Sequence, residues 1–134
     1  MQIDRIDHLV LTVRSVVVSA EFYRRVLGME AITEGGRTFV RFGQSKINLH
    51  ELGHEFMPKA ERPTPGSADV CFITPLSIEQ VVDHLKQQNV PIEHGPIERQ
   101  GALGRMLSVY FRDPDRNLLE VSHYIPRPKP HAPQ

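Results

Sequence analysis

Asp113-Pro114-Asp115-Arg116-Asn117-Leu118-Leu119-Glu120-Val121-Ser122-His123-Tyr124 couples a tight turn to an apolar run that carries a single acid. Proline after the first aspartate pre-sets φ for the turn. Strand alternation then puts Glu120 and Ser122 on one face, and Leu119 and Val121 on the other. A carboxylate in such a run is costly unless it is paired or metal-bound. Reading backwards, residues 106–112 and 92–98 fit two further strands. Residues 77–88 fit a helix, with Ile78, Val81, Val82 and Leu85 recurring at i, i+3, i+4 and i+7. Ser77 and Gln80 have capping-box spacing, and Asn89-Val90-Pro91 ends the helix. Residues 68–74 open the series as a strand.

The first half of the chain spells the same order. Residues 6–13 alternate as a strand, with Ile6, His8, Val10 and Thr12 on one face. Residues 15–27 form a helix on which Val18, Phe22 and Val26 are spaced four apart, with Gly28 as the C′ residue. Short strands at 30–33, 38–42 and 46–51 are separated by Gly35-Gly36 and Gly43-Gln44-Ser45, which are turn signals at hairpin spacing. The fold class is therefore α+β, two βαβββ repeats (about 3–51 and 66–125) within one domain, 1–125. Residues 52–65, rich in proline and without periodicity, connect them, and a proline-rich tail follows at 126–134. Neither repeat can bury its sheet alone. Together they form a curled mixed sheet with helices outside and a concave pocket.

Composition narrows the function. Lys plus Arg and Asp plus Glu both count 16, so the net charge is zero. Nothing there recruits nucleic acid or an anionic membrane. No apolar run reaches the ~20 residues of a membrane span. Cys71, the single cysteine, can make neither an internal disulfide nor a thiolate zinc site. The acid-bearing N-terminus does not resemble a signal peptide, so the cytoplasm is the expected location.

Superimposing the repeats by element order matches His8 with Asp69, Asn48 with Glu120, and His50 with Ser122. Each repeat thus offers metal-capable side chains from its first and fourth strands. Imidazole with carboxylate suits a divalent ion such as Mn, Fe(II), Ni or Zn, and three such ligands leave positions open for substrate. The expected metal set is His8, Asp69 and Glu120. Glu120 and His50 are the candidates for moving protons. Asn48, Tyr110 and Arg105 are candidate pocket residues, with Arg105 on a 101–105 loop able to meet an anionic group. Ser122 and His123, being adjacent in a strand, point to opposite faces and cannot form a dyad. His54, His84, His94 and His131 are expected at the surface.

His8-Leu9-Val10-Leu11, the helix end Phe22-Tyr23-Arg24-Arg25-Val26-Leu27-Gly28-Met29, and Asp113 to Glu120 resemble the vicinal oxygen chelate superfamily. That group includes glyoxalase I, extradiol dioxygenases and the fosfomycin and bleomycin resistance proteins. The resemblance implies His8 and Glu120 as ligands. It departs from the family pattern at Asp69, where many members carry histidine, and at Asn48, where glyoxalase I has its fourth ligand. An acid in place of histidine shifts preference from Zn towards Mn or Mg. The implied activity is a metal-dependent lyase or isomerase of glyoxalase type, or a ring-cleaving dioxygenase, on a small oxygen-chelating substrate. The alternative is a metal-free small-molecule binder of bleomycin-resistance type. Members often work as homodimers, and the connector permits a site within one chain or across two.

Overall fold

The computed structural model describes residues 1–127; the rest of the proline-rich tail, and with it His131, lies outside the described residues. The first unit comprises β1 (His8–Val13), α1 (Val16–Leu27), β2 (Glu30–Glu34), β3 (Arg37–Phe42) and β4 (Ser45–Glu51). The second comprises β5 (Asp69–Ile73), α2 (Ile78–Gln87), β6 (His94–Gly101), β7 (Gly104–Arg112) and β8 (Leu118–Tyr124). The fold is α+β, with two four-stranded mixed sheets ordered β1-β4-β3-β2 and β5-β8-β7-β6. In each, the first strand runs parallel to the fourth, His8 opposite Lys46 and Asp69 opposite Leu118. Position 48 in the first unit therefore corresponds to 120 in the second, and 50 to 122.

Each sheet has an apolar face and a polar face. Leu11, Val13, Val40, Ile47 and Leu49 line the apolar face of the first sheet, and Val109, Phe111, Leu119 and Val121 that of the second. The helices lie on these apolar faces, α1 against β2, β3 and β4, and α2 against β7 and β8. All these side chains join one hydrophobic cluster. Full burial of a side chain such as Phe111 or Leu119 contributes roughly 1.5–3 kcal/mol. The units meet through that core. Phe42 and Phe72 pack edge to face with centroids 5.4 Å apart, Arg25 Nη1 donates to the Gln88 carbonyl at 2.9 Å, and His84 Nε2 lies 2.7 Å from the Val26 carbonyl. His84 is thus part of the joint between units and not a free surface residue.

Helix α1 departs from its apolar periodicity. Its buried residues are Ser19, Tyr23 and Val26, while Val18 is 54% exposed. Two buried acids of the β7–β8 turn account for the rotation. Tyr23 Oη donates to Asp113 at 2.7 Å, and Ser19 Oγ donates to Asp115 at 3.3 Å. Asp113 also accepts from the backbone N–H groups of Asp115 and Asn117 and from the Asn117 amide, while Asp115 accepts from the Arg14 N–H. A pattern that counts only apolar residues misses a helix face drawn inwards by hydrogen bonds. Helix α2 has its capping box in place, Ser77 and Gln80 bonding each other's backbone N–H.

Between β6 and β7 the strands run further than their sequence pattern implies, with Gly101 opposite Gly104. The expected 101–105 loop is reduced to the turn residues Ala102 and Leu103, because glycine at both ends lets the chain reverse at once. At the start of the second unit Gly66 has φ +80°, and a Cβ there would stand 2.6 Å from the Asp115 carbonyl oxygen. Gly66→Ala is expected to lower stability by more than about 1 kcal/mol, read as a lower denaturation midpoint at unchanged slope.

Candidate functional site

Chemistry-bearing side chains collect on the two polar sheet faces. On the first sheet His8, Lys46, Asn48 and His50 share the face opposite the core, with Arg37 and Phe39 beside them on β3. His8 Nδ1 lies 2.8 Å from an oxygen of Asp7. That contact, together with the Arg5 and Lys46 charges, holds the Asp7 carboxyl below its usual range. It leaves the His8 Nε2 edge open, the arrangement in which an imidazole orients towards a metal.

His50 is buried (8% exposed) and its Nδ1 has no hydrogen-bond partner among the described residues. The 52–65 segment crosses this face, and Phe56 packs on the His50 ring with centroids 5.4 Å apart. The guanidinium of Arg37 lies over the other part of the same aromatic surface, 4.1 Å from the Phe56 centroid. Burial, with the Arg37 charge adding to it, pushes the His50 imidazole below its ordinary 6.5 despite nearby Glu55. A neutral folded imidazole contributes stability that is complete above 6.5 and is lost as pH falls through its lowered value. Denaturant titrations across this range are therefore expected to show stability falling on acidification. His50→Gln should flatten that dependence; an unchanged profile would exclude His50 as its source.

On the second sheet the polar face carries Asp69 and Cys71 from β5, Glu120 and Ser122 from β8, and Ser108 and Tyr110 from β7. Glu120, 9% exposed, accepts from Ser122 Oγ at 3.2 Å and has no ion-pair partner among the described residues. Ser122 Oγ lies 2.6 Å from Ser108 Oγ and 3.3 Å from Cys71 Sγ. Since the Ser122 hydroxyl proton points to Glu120, Ser108 donates to Ser122, giving a directed chain that ends on the carboxylate. Burial pushes the Cys71 thiol up, which favours its protonated form. The serine pair went unread because serine in a strand carries no pattern signal; only the register places 108 opposite 122.

Asp69 and Glu120 share one face of one sheet, diagonal neighbours across β5 and β8, and His8 has the corresponding place on the other sheet. Among the described residues no three His, Cys, Asp or Glu side chains lie close enough to hold one ion. Within a single chain, then, His8, Asp69 and Glu120 do not form a three-ligand site among the described residues. Asn48 and His50 border a cavity of about 240 Å³ with Arg37, Lys46 and Phe56. His50 also borders a cleft of about 540 Å³ between β1 and the connector, with Lys59 and Arg62. Tyr110 stands directly opposite Glu120, its hydroxyl accepting from Arg99 Nε at 3.1 Å. Arg105 is engaged with Glu98 across the β6–β7 hairpin and does not reach either cavity.

The family model described as Glyoxalase/Bleomycin resistance protein/Dioxygenase superfamily matches residues 5–121. The chain is 53% identical to virulence protein STM3117 of Salmonella typhimurium over 126 residues, covering 93% of this chain and 88% of that protein. A crystal structure of that virulence protein superposes with a TM-score of 0.91, covering 93% of this chain and all (100%) of the other. The chain is 45% identical to glyoxalase domain-containing protein RDO1 of Mycosarcoma maydis, covering 92% of this chain and 70% of that protein. An integron cassette protein from the mobile metagenome of V. cholerae superposes with a TM-score of 0.90 at 50% identity, covering 93% of this chain and 98% of the other.

Proposed function

This chain belongs to the Glyoxalase/Bleomycin resistance protein/Dioxygenase superfamily, and from that premise we propose that it is a divalent-metal-dependent lyase or isomerase completed by a second copy of itself. The carrying observation is the half-site on each polar face: an imidazole oriented by Asp7 on one, and on the other a buried carboxylate that no cation pairs among the described residues. In the proposed dimer the first sheet of one copy faces the second sheet of the other, so that His8 joins Asp69 and Glu120. Exposed edges support it. β1 and β5 are edge strands, and Val10 and Ile73 on them are 46% and 53% exposed, an arrangement that invites pairing with another chain.

The donor set fits a hard divalent ion, one nitrogen and two carboxylates, such as Mn or Mg, with Fe(II), Ni and Zn following. Bound there, the ion acts as a Lewis acid on adjacent substrate oxygens. The chain's own residues do the rest. Glu120, buried and with one oxygen accepting from Ser122, is placed to hold or move a proton. Ser108 and Ser122 set the direction of that carboxylate. Oxygen-activating iron sites carry two histidines and one carboxylate, and this set has the reverse ratio, so isomerisation or elimination is the expected reaction class.

Elemental analysis of protein purified without chelator is expected to give about one divalent ion per chain, and light scattering a dimer. Retained tight binding of a small molecule with no ion bound, before or after adding Mn, would favour the metal-free binder. Oxygen uptake with catechols, and none of the isomerase signal with glutathione hemithioacetals, would favour the dioxygenase.

A further inference from the structure

The cavity of about 240 Å³ on the first polar face holds two cations, Arg37 and Lys46, with one acid, Glu34, in the same lining. Arg37 lies on the Phe56 ring, and Lys46 Nζ stands 4.5 Å from the Phe39 centroid. Among the described residues neither is in an ion pair; aromatic faces hold both, orienting the charges while leaving their donors free. Asn48 and the nine-tenths-buried His50 complete the wall. Lys46 is the register partner of His8, so the cavity adjoins the proposed metal ligand on the same face.

We propose that this cavity is a carboxylate subsite, and that the substrate is a small organic acid whose anionic end is held by Arg37 and Lys46. The inference rests on the reading of this face as the substrate face. One acid, Glu34, lies in the lining, and Asp7 and Glu55 stand nearby, beside Lys46 and His50 respectively. Within the lining itself two cations stand against one carboxylate, Glu34, the register partner of Arg37. Two cationic donors fit the two oxygens of one carboxylate group. At ~30 Å³ per water, the volume corresponds to about eight heavy atoms, the size of a four-carbon diacid.

The test is binding of succinate and of its neutral counterpart succinamide to the metal-free protein, followed by calorimetry or NMR shift. Succinate is expected to bind and succinamide to bind at least about tenfold more weakly, since one charge-assisted bond is worth that factor. Arg37→Gln and Lys46→Gln should each weaken succinate about tenfold. Glu34→Gln should strengthen it, a gain that a misfolded variant would not give. Equal binding of the two ligands, or variants without effect, would overturn the subsite, and tighter binding of inorganic phosphate than of succinate would assign it to phosphate instead. Ion binding is measured separately: loss of the metal with charge-dependent succinate binding intact would remove the metal reading and leave the subsite standing.

Discussion

Asp113→Ala is expected to lower the unfolding free energy by about 3–5 kcal/mol, the cost of breaking a buried charged network by removing one partner. The carboxylate is 3% exposed and accepts four hydrogen bonds: from the Tyr23 hydroxyl, the Asn117 amide and the backbone N–H groups of Asp115 and Asn117. Alanine would strand these donors, and each buried donor left without an acceptor costs about 1–3 kcal/mol. Natural domains have only about 5–15 kcal/mol in hand. The melting temperature should therefore drop by roughly 10–20 °C at this chain length. Tyr23→Phe, which removes a single donor, should cost much less, about 1 kcal/mol. Equal losses for the two variants would mean that the phenol, not the carboxylate, organises the joint.

Glu120→Gln is expected to weaken divalent-ion binding by more than about 100-fold, since even partners beyond the ligands themselves are worth 10–100-fold. Glutamine keeps the side-chain length and an oxygen for Ser122 to donate to, so the fold should be preserved. Competition against a chromophoric chelator reads the ion, and circular dichroism reads the fold. An ion held as tightly by Glu120→Gln as by the parent protein would end the metal assignment at this carboxylate.

Much of this architecture was legible in the residues. The doubled strand–helix–strand order, the capping box at Ser77 and Gln80, and the pairing of 48 with 120 all follow from local pattern, because periodicity and caps are local physics. What failed to show was set by contacts distant in sequence. The inward face of α1 answers to Asp113 and Asp115, 90 and more residues away, so Val18 looked like core and is exposed. The aspartates of that turn read as a tight turn beside a ligand, yet their carboxylates fasten the two units together. Phe56 sits in a segment without periodicity, and only the course of the backbone brings it over His50 and Arg37. Likewise the ligand candidates are recognisable from their strand positions, but whether they assemble into one site is decided by how the two units pack.

The Tyr23–Asp113 contact, spanning 90 positions, also bears on how the polypeptide matures as it leaves the ribosome. While the first half emerges, Tyr23 and Ser19 have no acids to receive them, and the apolar side of the leading sheet lacks its cover. Closure over so large an intervening length is slow, because loop entropy is spent before the reward arrives. The leading half is therefore expected to stay incompletely covered until the second unit has been made and released, which lengthens its exposure to aggregation.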